Sequence, residues 1–135
     1  MNWYLDVITK NYANFNGRAR RQEYWLFLLF QITIILALLF GGIYMESLFD
    51  IQFPYYILGI YYFATIIPTI ALAVRRLHDT GKSGAAYFVK FIPAIGGIIF
   101  LILMVLEGDR GRNKYGEDPK APKSFGAYDN LVSTN

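Results

Sequence analysis

The 135-residue chain has no cysteine and only one histidine. Without thiols there can be no disulfides, thiolate zinc sites or cysteine nucleophiles, and one histidine leaves little for a metal site. Charge is scarce too: Lys, Arg, Asp and Glu make up 17% of the residues, where a soluble chain carries roughly 25%. The shortage is concentrated. The 22 residues between Glu23 and Glu46, and the 24 between Asp50 and Arg75, carry no charge at all. The first 23 residues contain no apolar h-region, so no cleavable signal peptide is expected. There is no glycosylation sequon and no internal repeat of the kind that builds many transporters.

What is present is apolar: 55% of the chain is hydrophobic and 18% aromatic. About 20 apolar residues cross a hydrocarbon core of roughly 30 Å. Both uncharged runs are long enough, and a third stretch, residues 85–106, is interrupted only by Lys90. A soluble amphipathic helix has to show water a polar face, and these runs have none. They predict an all-α integral membrane protein with three transmembrane helices, at about 24–45, 53–74 and 85–106. A short amphipathic interfacial helix precedes them, with Tyr4, Leu5, Ile8, Tyr12 and Phe15 at helical spacing. A helix packed on the membrane domain is the compatible alternative for that segment. Residues 1–106 form the expected membrane domain, and 107–135 a polar, mostly irregular C-terminal tail rich in Gly and Pro.

Pro68 inside the second span should kink it or free a carbonyl that needs another partner. Basic residues set the expected orientation. Arg18, Arg20 and Arg21 precede the first span, and Arg75, Arg76 and Lys82 follow the second, while the first loop has no basic residue. The amino terminus and second loop are therefore expected in the cytoplasm. Three crossings then put the tail outside, against its own Arg110, Arg112, Lys114, Lys120 and Lys123. A third segment that dips in and returns through a break at Pro93 and Gly96-Gly97 would keep the tail inside. We favour three crossings.

Each chemical motif has a plainer reading beside it. "DTGKSG" lacks the earlier glycine of a phosphate-binding loop, since Arg76 stands there, and its flanks are spans rather than a strand and a helix. His78-Asp79 has no nucleophile or second histidine at a recognisable spacing, so a structural histidine is expected. A calcium loop starting at Asp109 would need glycine at Lys114 and glutamate at Lys120. Lys90 inside a span is a functional candidate by default, although its stem could snorkel to the interface. The arginine clusters serve orientation, yet Arg18, Arg20, Arg21, Arg75 and Arg76, with Glu23, His78 and Asp79 among them, also predict an ordered polar site that could hold a phosphate group.

Four stretches carry a resemblance: "FNGRARRQEYW" (Phe15–Trp25), "RRLHDTGKSG" (Arg75–Gly84), "FIPAIGGIIFLILM" (Phe91–Met104) and "GDRGRNKYGEDP" (Gly108–Pro119). In this order, and with the opening "NWYLDVITKNY", they resemble domain-of-unknown-function family 805, the YhaH/YhaI type of bacterial inner-membrane protein. Family members often carry tryptophans where this chain has Ala85, Ala86 and Tyr87. The resemblance implies a small multi-pass protein of the bacterial cytoplasmic membrane and supplies no activity. The leading expectation is a non-enzymatic module without cofactor, metal or nucleic-acid partner. Its arginine-rich cytoplasmic surface would engage anionic lipid headgroups, a second copy or another membrane protein. The alternative is a subunit of an oligomeric transporter or channel for a small solute or ion, with Lys90, Gln31 and the tyrosines of the second span lining a path.

Overall fold

The computed structural model describes residues 2–120, and side chains from Tyr4 onward. The rest of the expected tail, with Lys123, lies outside the described residues. The elements run α1 (Asn2–Ile8), α2 (Arg21–Phe49), α3 (Phe53–Asp79), a 3₁₀ helix (Gly84–Phe91) and α4 (Gly96–Val105). Among the described residues the only strand-like pairing is one bridge, Asn113 to Gly116.

Two helices are long and apolar enough to cross a membrane, α2 and α3. At 1.5 Å per residue they measure about 43 and 40 Å, more than the roughly 30 Å of hydrocarbon. α2 ends where Asp50 turns left-handed, with φ 53°, and its N–H bonds Glu46 O at 3.0 Å. α3 begins with a proline in its first turn, where a missing N–H has no consequence. Both helices outrun the expected spans. The stretch Arg75–Asp79, expected in the second loop, is the last part of α3, and only Thr80–Ser83 turns the chain.

Pro68 lies inside α3 and frees the Ala64 carbonyl, whose usual donor would be the N–H four residues on. The Tyr12 hydroxyl takes that carbonyl at 2.6 Å. A neighbouring side chain satisfies the freed carbonyl, one of the two outcomes the sequence allowed. The same N-terminal segment packs along the bundle. Val7 is fully buried, Tyr4 stacks on Phe27 at 5.3 Å, and the Tyr4 and Tyr61 hydroxyls lie 2.7 Å apart. α1 is therefore packed on the bundle.

The third expected span is corrected. Residues 85–106 do not form one crossing helix but a hairpin of two short arms, the 3₁₀ helix and α4. Pro93 disfavours helical backbone at Ile92, which is extended, and Ala94 takes a left-handed φ of 69°. The turn closes through Gly96 N–H to Ile92 O at 2.9 Å. Gly96 is required there: a Cβ on it would collide with the carbonyl oxygens of Val89 and Lys90 in the first arm. Tyr87 meets Phe100 edge-on at 5.7 Å, so the arms run side by side in opposite directions. Each arm is about 15 Å long, half a bilayer core. Gly84 starts the hairpin against Val74 of α3, and Leu106 ends it against Arg76 of the same helix. Both ends of the third segment thus lie at one end of the molecule.

The packed core also sits at that end. Tyr4, Val7, Ala19, Tyr24, Phe27, Leu72, Ala73, Leu77 and Met104 form one buried cluster.

Candidate functional site

An arginine pole occupies the end where α2 begins and where α3 and α4 finish. Its centre is Asp79. The Asp79 carboxylate accepts Arg18 Nε on one oxygen at 2.9 Å and Arg76 Nη1 on the other at 2.6 Å. The side chains of Arg18, Arg76 and Asp79 are each no more than 1% exposed. Two guanidiniums on one carboxylate leave a net positive charge in a buried place. That arrangement persists only if the remaining N–H groups are also bonded.

They are. Arg76 Nε donates to Met104 O at 3.3 Å, and Arg76 Nη2 donates to Leu106 O. Arg21 Nη1 donates to Val105 O at 3.1 Å. These three consecutive carbonyls are the ones a helix end leaves without intrahelical partners. Cations there also suit the negative end of the helix dipole. The returning arm of the hairpin is therefore clasped by arginines from α2 and α3.

The tail closes over the other side. Arg18 donates to Gly111 O at 2.6 Å and to Asp109 O, and Arg20 donates to Pro119 O at 2.7 Å. Asp109 N–H bonds Asp79 O at 2.6 Å. Gly108 leaves no room for a side chain either, because a Cβ would run into the Asp79 carboxylate. His78 Nδ1 lies 3.0 Å from Gly17 O, and its ring stacks flat on Tyr115 at 3.9 Å. Asn113 Nδ2 donates to His78 O at 2.9 Å. Asp118 accepts the N–H groups of Lys120 and Gly111 at 2.9 and 3.1 Å. The Lys120 bond is the main cause that holds this carboxyl below its usual value.

Arg75 stands apart from this satisfied network. It is 5% exposed, and its carbonyl accepts Ala19 N–H at 3.0 Å. Its Nη1 lies 3.5 Å from Glu23 Oε1, while its Nε and Nη2 are buried and have no hydrogen-bond partner among the described residues. Glu23 also lines a groove of about 240 Å³ with Arg20, Gln22 and Leu26.

The structure thus brings Arg18, Arg20, Arg21, Glu23, Arg75, Arg76, His78 and Asp79 to one pole. They do not form one open surface. Arg18 and Arg76 are internal clasps, and His78 is a stacked, buried side chain. Asp109, Asn113 and Tyr115 belong to the same site. Reading "GDRGRNKYGEDP" as part of an irregular tail missed them, although that stretch is one of the four shared motifs.

Lys90 lies elsewhere, beside the hairpin turn. Its ammonium bonds the Tyr87 hydroxyl and sits 4.1, 5.3 and 5.7 Å from the ring centres of Tyr87, Phe91 and Phe100. It lines a cavity of about 420 Å³ with Gln31, Tyr62 and Thr69, so Lys90, Gln31 and a tyrosine of the second span do meet.

Comparison with known proteins agrees with the motifs. The model of the family described as "Protein of unknown function (DUF805)" matches residues 12–117. The chain is 45% identical to the inner membrane protein YhaI of Escherichia coli K12 over 120 residues, covering 89% of this chain and 97% of that one. It is 40% identical to the inner membrane protein YhaH of the same organism over 122 residues, covering 89% and 98%. An uncharacterized Escherichia coli protein, YiiR, is 29% identical over 137 residues, covering 82% and 88%. No solved structure matches the chain.

Proposed function

The chain belongs to the DUF805 family, and from that premise we propose a non-enzymatic module of the bacterial inner membrane that holds anionic lipid headgroups at its arginine pole. α2 and α3 cross the bilayer, and the hairpin dips in and returns to the same side. The pole then faces the cytoplasm, with the amino terminus, the Thr80–Ser83 turn and the start of the tail. This arrangement removes the conflict in the basic residues, since every cluster falls on the side that positive charge prefers.

One observation carries the lipid reading: the Arg75 guanidinium is buried with two nitrogens unpartnered beside Glu23. A buried charged donor without a partner is costly. The groove of Arg20 and Glu23 adjoins Arg75 through Glu23, and a headgroup phosphate reaching Arg75 from there would supply acceptors in the forked geometry that arginine matches. Arg20 and Arg21 stand nearer the surface and would add the non-specific attraction of an anionic leaflet. Arg18 and Arg76 serve the fold in this reading.

The test is native mass spectrometry of the full chain released from nanodiscs containing phosphatidylglycerol and phosphatidylcholine. Arg75→Gln should lose the bound phosphatidylglycerol while keeping its helical circular dichroism, and Arg20→Gln should weaken it. Unchanged adducts in both variants overturn the lipid reading. The topology has its own test in intact cells, with an impermeant thiol reagent and single cysteines. Ser47→Cys should label, while Ser83→Cys and Glu117→Cys should stay protected. Labelling at Glu117→Cys would mean a third crossing after all.

A further inference from the structure

The Lys90 cavity has a composition of its own. Isoleucines and a leucine of α2 and α3 make up much of its wall, and its rim residues Ile32, Tyr62 and Phe91 are exposed, so it opens on the outer face of the bundle. Six residues of 3₁₀ helix separate Lys90 from Gly84, which places it about 12 Å from the arginine pole. In the two-span arrangement the cavity then lies level with lipid chains. At about 420 Å³ it falls within the roughly 300–1,000 Å³ of small-molecule sites.

Its only charge is the Lys90 ammonium, which forms no ion pair among the described residues. Among the other polar side chains of the lining, Gln31, Thr65 and Thr69 are already engaged. Gln31 donates to Thr65 Oγ1 at 2.6 Å and accepts from Tyr61 at 2.8 Å, and Thr69 donates to Thr65 O at 2.6 Å. Lys90 spends one N–H on the Tyr87 hydroxyl and keeps two. Tyr87, having accepted that bond, keeps its own proton to donate. Three rings fix the ammonium in place by cation–π contact. The result is one positive charge with N–H groups to spare, beside a phenol hydroxyl, at the head of an apolar slot.

We infer that this cavity binds a single-chain carboxylate amphiphile, with its carboxylate on Lys90 and Tyr87 and its hydrocarbon chain along the α2–α3 wall. A carboxylate carries one charge and neutralises one ammonium. A phosphate monoester brings about −1.5 to −2 and would leave negative charge in an apolar place. The site is distinct from the arginine pole and does not depend on headgroup binding there.

The test uses the full chain in phosphatidylcholine nanodiscs with a diazirine-bearing palmitate analogue as the probe. Photolabelling should saturate and map to α2, α3 or the hairpin arms. Palmitate should compete, and hexadecanol should compete about tenfold less well or worse, as loss of a charge-assisted bond requires. Lys90→Met should lose labelling by a similar factor, and Lys90→Arg should restore much of it. Ile66→Phe leaves Lys90 intact and fills the slot, so it should also lose labelling, which guards against misfolding of the lysine variant. Equal competition by hexadecanol, better competition by dodecyl phosphate, unaltered labelling in Lys90→Met, or no saturable labelling would each overturn the assignment.

Discussion

The two ends of the α2–α3 pair are held in different ways. At the arginine pole Ala71–Ala73 and Arg75–Asp79 are buried, and four other segments contribute to the packing. At the opposite end, among the described residues, α2 and α3 have only each other. Phe40, Phe49, Phe53 and Ile60 are 62–72% exposed there, and Gly42 is the only buried residue of the outer half of α2. Its missing Cβ lets the Tyr55 ring approach, and Tyr55 donates to Glu46 at 2.8 Å. In a bilayer, exposed apolar residues meet lipid and provide no drive to associate, so helices are joined by close packing and polar contacts. The polar contacts are concentrated at the pole, and the fold's strength should be concentrated there too.

Asp79→Ala is the most direct way to break this contrast. It leaves Arg18 and Arg76 buried without their shared carboxylate, and should cost about 3–5 kcal/mol. Unfolding in detergent followed by circular dichroism should show a large loss of stability, and a loss below about 1 kcal/mol would show that the pole is not the keystone. Gly96→Ala acts on the hairpin turn and should cost about 1–3 kcal/mol, because the added methyl meets backbone of the first arm. The same unfolding measurement checks it, and a neutral result would mean that the arms can separate without consequence. Glu46→Gln at the open end should change stability by no more than about 0.5 kcal/mol, since the Tyr55 contact is exposed. A larger effect would show that the open end is held more firmly than its contacts suggest.

These three sites also show what a linear reading can reach. Gly96 was legible as a break near Pro93, but whether the segment crosses or returns depends on partners distant in sequence. Arginines from α2 and α3 take the carbonyls of residues 104–106 and hold the returning arm at the pole. The arginine clusters were legible as one site because the charges stand alone between apolar runs. Their roles were not, since Arg76 and Arg75 are adjacent and one is satisfied while the other is not. The partners of Tyr12 and Tyr115 gave no signal in sequence, because a carbonyl 52 residues away or a histidine ring to stack on leaves no spacing rule.

The amino-acid sequence by itself determined the helical class, the two long apolar helices and the gathering of basic residues at one end. It did so because uncharged runs of this length are poorly solvated by water and charged residues are costly in hydrocarbon. Only the tertiary structure decided that the third segment folds back, that two arginines are internal clasps, and that Lys90 faces a cavity. Those outcomes depend on which carbonyls, carboxylates and rings come within bonding distance when separate segments pack.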